Sequence, residues 1–278
     1  MSDGVDRTEL YGGKVVVEFK EKGHKYTVYV NGVPTKPPSV TNITGIVDKS
    51  GPIGGWAVNT TLDVCKRWVV ANESYPQIEL DRIWAMAKKA IYVKKQEAAT
   101  IGTKTHDWLE KYFKNQEMFH PLPDAKEDYR PSIDAALKWI EQHQVQFLVN
   151  EKPVYSLKHK FSGRMDGIAF VDGVKTLVDF KTGNGIYDEA WLQTAAYNIA
   201  YEEEQQAKGP FSGFEIEQRL VIRLGKLDGH FYSQIQPRKT LKPDWNGFLG
   251  AMKLHKRLAE LKKLKKESDT SKSWLDEE

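Results

Sequence analysis

The sequence is poor in cysteine: Cys65 is the only one among 278 residues. An internal disulfide and a cysteine-rich metal cluster are therefore excluded, which fits a reducing compartment. No apolar run approaches the length that a membrane-spanning helix needs. The polar start MSDGVDRTEL lacks both the apolar stretch of a signal peptide and the Arg-rich pattern of a transit peptide. We therefore expect a soluble intracellular protein that does not bind membranes.

A strong charge of either sign is also lacking. Lys and Arg number 41 against 38 Asp and Glu, and the resulting net charge of +3 neither requires nor excludes a nucleic-acid partner. We find no internal repeat and no low-complexity tract. Hydrophobic residues make up 40% of the chain and include eight Trp, which is enough for the core of one large domain or of a core with an accessory region.

The order of predicted elements indicates an α/β fold with a mixed sheet. In the first region, residues 1–95, we expect a hairpin over 14–31 that turns near Lys22-Gly23, and then helices that are broken at Gly51-Pro52 and Gly54-Gly55. The second region, 96–240, forms the core, and the third, 241–278, is a basic helix and tail. The expected core elements are a helix ending at Phe113, a helix over 131–146, strands over 147–156, 161–171 and 174–181, a helix over 187–205, and two antiparallel strands over 216–224 and 229–235; the final helix spans 239–266.

A hairpin in the core predicts that two aspartates face each other. Asp172-Gly173 suits a two-residue type I′ turn, because both positions must accept positive φ. Pairing of Val171 with Val174 then places Asp166 opposite Asp179, with their Cβ atoms roughly 5 Å apart. Two carboxylates are therefore expected to converge at one end of the sheet.

The converging carboxylates require a compensating positive charge or a shared proton. Alternation along the strand puts Lys181 on the same face as Asp179, away from Val178 and Phe180. A bound Mg²⁺ would supply more charge, since carboxylates, water and substrate phosphate are its usual ligands. The alternative is a structural ion-pair cluster at the end of a sheet.

Two helical stripes flank the predicted hairpin. Gly102, His106, Leu109 and Phe113 share the inward face of the preceding helix, and Ala190, Gln193, Tyr197 and Ala200 share a face of the following helix. His106 is a metal-ligand candidate or a buried core histidine. Gln193 and Tyr197 could contact a phosphate or orient Lys181, or they could form the polar edge of the core.

Three other features have two interpretations each. Glu151, on a predicted strand, could support a second metal ion or a water, or be an ordinary solvated or salt-bridged glutamate.

The basic final helix could bind phosphates, or be a solvated face opposite Leu254, Leu258, Leu261 and Leu264. The main candidates for phosphate binding are Lys262, Lys263, Lys265 and Lys266. Trp56, Trp68 and Trp84 are expected in the core, with stacking on single-stranded bases as the alternative.

The order of these motifs resembles the PD-(D/E)XK nuclease superfamily, in its RecB-like branch that includes phage-type exonucleases. The motifs are Gly102-x3-His106, Glu151, Gly163-x2-Asp166, Asp179-x-Lys181 and Gln193-x3-Tyr197. The resemblance covers about residues 95 to 235. It implies a restriction-endonuclease-like core, in which helices flank a central mixed β-sheet, with an N-terminal accessory region.

The resemblance also implies roles for individual residues. Asp166 and Asp179 would be ligands of Mg²⁺ or Mn²⁺, and His106 and the main-chain carbonyl of Phe180 would complete the site. Lys181 would position or activate the attacking water. Gln193 and Tyr197 would support the lysine and contact DNA. Many relatives have glutamate at the position of Asp179, and some hold an iron–sulfur cluster on cysteines that this chain lacks, so no such cluster is expected.

The implied function is that of a metal-dependent DNA exonuclease in phage or bacterial replication, recombination or repair, in the cytoplasm of a bacterial or phage-infected cell. The alternatives are a structure-specific endonuclease that cuts flaps or branches, and a non-catalytic DNA-binding subunit that keeps the nuclease fold. Intact Asp166, Asp179 and Lys181 favour an enzyme. The sequence sets neither the polarity of digestion nor the oligomeric state.

Overall fold

A computed structural model describes residues 5–20, 25–48, 50–71, 73–114, 120–209 and 215–273. The N-terminal part of these ranges forms an antiparallel sheet in the order β1-β2-β3-β4. Its strands are β1 (Val5–Leu10), β2 (Val15–Lys20), β3 (Lys25–Val30) and β4 (Val33–Thr35). The predicted hairpin over 14–31 is confirmed as the β2–β3 pair, whereas its turn near Lys22-Gly23 lies outside the described residues.

Three helices follow: α1 (Val40–Thr44), α2 (Ser50–Trp68) and α3 (Gln77–Lys114). The predicted breaks at Gly51-Pro52 and Gly54-Gly55 are wrong, because α2 runs through both. Proline costs little helix stability in a first turn, where the N–H groups have no helical partner. Each glycine lowers helix stability by about 1 kcal/mol, and the packing of α2 along α3 offsets this loss. Helix α3 is continuous across residue 95, where the sequence suggested a domain boundary.

The second sheet is mixed and has the order β5-β6-β7-β8-β9. Strands β7 and β8 are parallel, and the other neighbours are antiparallel. The strands are β5 (Val145–Tyr155), β6 (Ser162–Val171), β7 (Val174–Lys181), β8 (Gln218–Leu224) and β9 (Phe231–Pro237), and the helices are α4 (Arg130–Gln142), α5 (Glu189–Lys208) and α6 (Leu241–Ser273). The predicted mixed α/β class is confirmed. The helix expected over 131–146 ends earlier, at Gln142, because β5 already begins at Val145.

Hydrophobic cores cover both faces of the mixed sheet. Val178 and Phe180 pack with α3 and α4, whereas Leu177 packs with α5 and α6, as the alternation along a strand requires. Asp179 and Lys181 therefore belong to the α5 side. None of the helices among the described residues combines the length and apolar character that crossing a membrane demands.

Candidate active site

The predicted hairpin register is confirmed. Val171 pairs with Val174, and the ladder continues to its last pair, Gly167 and Val178. The turn residues have the positive φ angles of a type I′ turn, 52° and 81°. Just beyond the last pair, the N–H of Phe180 donates a hydrogen bond of 2.6 Å to Asp166 Oδ2. The regular pairing of β6 with β7 therefore ends just before Asp166 and Asp179.

Lys181 is paired with Asp179 in the structure. Its Nζ lies 2.9 and 2.7 Å from the two carboxylate oxygens and donates a 3.3 Å hydrogen bond to Gln193 Oε1. Burial raises the pKa of Asp179 to about 6, although Lys181 opposes this rise. Burial lowers the pKa of Lys181, but Asp179 and Asp166 outweigh it and raise that pKa overall. The lysine is therefore a fixed cation at neutral pH.

Three other side chains form a ligand group, that is, a group that could hold a metal ion, beside this pair. His106 Nδ1 lies 3.4 Å from Glu151 Oε1 and 3.5 Å from Asp166 Oδ1. One ligand atom from each residue falls within 4.8 Å of the others, and this is the one such group of His, Cys, Asp and Glu among the described residues. Glu151, open to two interpretations in the sequence, belongs to this group, whereas both oxygens of Asp179 face Lys181.

Glu151 has an unusual backbone conformation. It lies between Asn150 and Lys152, which pair with Gly167 and Met165, so its place in the register is opposite Asp166. Its φ is 45°, in the left-handed region, which costs a non-glycine residue on the order of 1–2 kcal/mol. Such a cost is typical of residues that a functional site holds in place.

Arg164 holds the Glu151 carboxylate, a role that our sequence reasoning missed. Its Nε lies 2.8 Å from Glu151 Oε2, and its guanidinium nitrogens lie 3.6 Å from Glu110 and Asp6. The guanidinium also lies over the ring of Phe19. The sequence signal was its place inside the motif Gly163-x2-Asp166, but its partners are remote along the chain.

The pKa of His106 gives a first prediction. Burial lowers this pKa, but the Asp166 carboxylate and the hydrogen bond with Glu151 outweigh burial and raise it to about 9. In metal-free protein, the ring proton signals of His106 in NMR should therefore titrate near pH 9, and Asp166→Asn should lower the midpoint. The His106 signal is assigned as the one that is absent from the spectrum of the His106→Gln variant. A midpoint at or below 6.5 would contradict the arrangement.

The same shift predicts how stability depends on pH. The pKa of His106 is higher in the folded protein than in the unfolded chain, so its stabilising contribution is complete below about pH 6.5 and is lost as pH rises through 9. The difference in free energy of unfolding between wild type and His106→Gln should shrink over that interval. Urea denaturation at pH 6 and at pH 10 measures it.

Tyr197 is seated against Gly163 on the wall formed by α5. Gln193 Nε2 donates a 2.9 Å hydrogen bond to the Tyr197 hydroxyl, so the lysine, the glutamine and the tyrosine form one chain of hydrogen bonds. Burial raises the pKa of Tyr197 well above its usual value, which keeps the hydroxyl neutral. Gly102 of α3 also lies close to the end of the hairpin, because a Cβ added there would be 3.2 Å from Thr182 Oγ1. The two predicted stripes thus face the hairpin from both sides.

Gly163→Ala should destabilise the protein by about 1–3 kcal/mol, because a Cβ would lie 2.6 Å from the Tyr197 ring. Gly250→Ala in α6 is the matched control: its Cβ would meet nothing within 4 Å, so a change between zero and a gain of about 1 kcal/mol is expected. Urea denaturation of both variants measures the difference. Equal stability of both variants would contradict the close contact at Gly163.

One cleft of about 690 Å³ is lined by most of these residues: His106, Glu151, Arg164, Asp166, Lys181, Gln193 and Tyr197. Its floor contains His106, Asp166 and Lys181, and part of its wall comes from the N-terminal sheet through Phe19 and Tyr26. The region that the sequence suggested as accessory therefore contributes directly to the lining of this cleft.

Other candidates lie outside the cleft. Lys262, Lys263, Lys265 and Lys266 line a separate shallow surface depression on α6. The leucines expected on the opposite face, from Leu254 to Leu264, are 40–55% exposed. The expectation that Trp68 and Trp84 belong to the core is wrong, because they are 54% and 48% exposed on the paired helices α2 and α3.

No family model and no curated protein matches this chain.

Proposed function

We propose that this protein is a Mg²⁺- or Mn²⁺-dependent deoxyribonuclease with a restriction-endonuclease-like core, and that it acts as an exonuclease. The observation that supports this most is that His106, Glu151 and Asp166 line one cleft with Lys181, which is ion-paired to the buried Asp179. Perturbed carboxylates with a specific charged partner in a cleft are typical of catalytic sites.

The residues present fit a divalent cation. The His106, Glu151 and Asp166 side chains offer one nitrogen and several oxygen atoms, and we include Asp179 and the main-chain carbonyl of Phe180 among the proposed ligands. A bound cation supplies charge that polarises a phosphoryl oxygen and lowers the pKa of water. It would also relieve the repulsion between the neighbouring carboxylates.

Lys181 has the second role in the proposed reaction. Because its ammonium group is fixed between Asp179 and Gln193 and stays protonated, it orients the attacking water and neutralises charge that develops on the phosphate. Tyr197 holds Gln193 in place for this purpose. A role as general base is disfavoured, since the raised pKa keeps the lysine charged.

DNA is the proposed substrate, and phage or bacterial recombination, repair or replication inside the cell is the proposed setting. Digestion of end-labelled linear DNA and of covalently closed circular DNA, with Mg²⁺, with Mn²⁺ and with EDTA, tests the proposal. Metal-dependent loss of the linear DNA with an intact circle is the expected result. A cut circle would instead show an endonuclease, and absence of cleavage in both with either metal would refute the enzyme.

A further inference from the structure

Helix α3 presents aromatic and basic side chains in one line outside the cleft. Trp84, Lys88, Tyr92 and Lys95 follow one another at steps of four, four and three residues, so they share one face of the helix. We call these four residues the α3 ridge. Trp84 is 48% and Tyr92 is 76% exposed, and both lysines are exposed. Neither lysine has an ion-pair partner within the part of the chain that the structure describes.

The ridge leads to the cleft. Beyond Lys95 the same spacing continues through Ala99 and Gly102 to His106, which lines the cleft. Because α3 is one continuous helix from Gln77 to Lys114, the ridge and His106 belong to a single rigid surface. At 1.5 Å per residue, Trp84 lies roughly 33 Å along the axis from His106. That length corresponds to about ten nucleotides of a stacked strand.

We propose that the α3 ridge binds the single-stranded part of a DNA substrate and guides it into the cleft; this inference rests on the proposed nuclease function. An exposed aromatic ring stacks on any base, which requires that the base be unpaired. The ammonium groups of Lys88 and Lys95 alternate with the rings along the same face, so one strand can contact both kinds of group. The two rings lie roughly 12 Å apart along the helix axis, which corresponds to about three to four nucleotides of a stacked strand. The substrate class is therefore DNA with a single-stranded segment of about ten nucleotides next to the cleaved bond.

A second copy of this chain is a less favourable occupant of the ridge. Two such surfaces packed together would bring four lysines into one interface, and like charges there are destabilising. Lys88 and Lys95 also lie between and beside the two rings, so the ridge itself offers no continuous apolar stripe to another helix. A single strand of DNA carries negative phosphates and aromatic bases, so it is complementary to both the lysines and the aromatic rings of the ridge.

Binding measured without catalysis tests the ridge. We use fluorescence anisotropy with a labelled 20-nucleotide oligothymidine in EDTA, so that no cleavage interferes. The double variant Trp84→Ala/Tyr92→Ala should raise the Kd by at least about 10-fold, because stacking on two rings is lost. A blunt duplex of the same length should bind both proteins within about twofold of each other, since its bases are already stacked.

The lysines have a separate signature. Lys88→Gln/Lys95→Gln should reduce the slope of log Kd against log salt concentration by about 1.4, since each phosphate contact on a single strand contributes about 0.7. A control for position is Lys89→Gln/Val93→Ala, which removes one lysine and one apolar side chain that are exposed on another face of α3. This control should bind and degrade DNA as the wild type does. Circular dichroism melting verifies that every variant is folded.

The outcomes separate this inference from the proposed function. If the wild type degrades DNA but the ridge variants bind single strands with unchanged Kd and salt slope, the ridge proposal is refuted and the nuclease stands. If the wild type degrades no DNA, the nuclease fails, while the binding comparison still decides the ridge. The ridge proposal would also be overturned if the ridge variants lost equal affinity for duplex and for single-stranded DNA, or if the wild type bound neither. A change of mass in light scattering with unchanged DNA binding would show that the ridge joins copies of the chain.

Discussion

Asp179→Asn should lower the rate of Mg²⁺-dependent DNA degradation by at least about 10³-fold while the protein stays folded. The substitution keeps the shape of the side chain but removes the charge that holds Lys181. Loss of several kcal/mol of transition-state stabilisation corresponds to about this factor. Initial rates on end-labelled linear DNA measure the effect, with circular dichroism melting as the check of folding.

The matched control is Asp188→Asn, an exposed aspartate at the start of α5 whose side chain forms no capping hydrogen bond. It removes the same charge from the same part of the chain and should leave the rate unchanged. An Asp179→Asn protein that is folded and degrades DNA at the wild-type rate would remove the proposed catalytic role of this aspartate. Equal losses in both variants would point to overall charge rather than to the site.

The second large effect concerns stability. Asp244→Ala should lower the free energy of unfolding by about 3–5 kcal/mol, because Arg219 would remain as an uncompensated buried charge. Arg219 is 1% exposed; its guanidinium lies 2.5 Å from Asp244 Oδ2 and donates hydrogen bonds to the Trp191 carbonyl and to Thr240. Urea denaturation monitored by tryptophan fluorescence measures the loss.

Glu260→Ala is the matched control on the same helix. Its pairing with Arg257 is exposed on both sides, and such pairs contribute about 0–1 kcal/mol. A loss below about 1 kcal/mol in Asp244→Ala, similar to that of the control, would mean that Arg219 is solvated and that α6 is not anchored to β8 by this contact. The double variant Arg219→Leu/Asp244→Ala should recover part of the stability, since it removes the buried charge as well.

The hairpin was predictable from local chemistry. Asp172-Gly173 selects the turn, and the alternation of side chains then determines every pair down to Gly167 and Val178. The stripes that contain His106 and Tyr197 were predictable for a similar reason, because the helical period is regular. Together these signals located the cleft.

The detailed partners could not be predicted in the same way. Arg164 and Glu151 meet through a tertiary arrangement, and the left-handed φ of Glu151 has no signal in residue type. Periodicity also predicts which residues share one face of a helix, but it does not predict which other elements pack on that face. Trp84 therefore looked like a core residue, although it is 48% exposed on a helix whose most extensive contact is with α2.

The unbroken course of α3 restricts how its length can change during evolution. A one-residue insertion between Lys95 and Gly102 would rotate everything before it by about 100° relative to His106. Insertions of seven or eleven residues would restore the phase to within about 20°. Homologues that lengthen or shorten this helix should therefore do so in steps of seven or eleven residues. A variant with one added alanine should keep its His106 environment, but the part of α3 before the insertion should lose its alignment with His106.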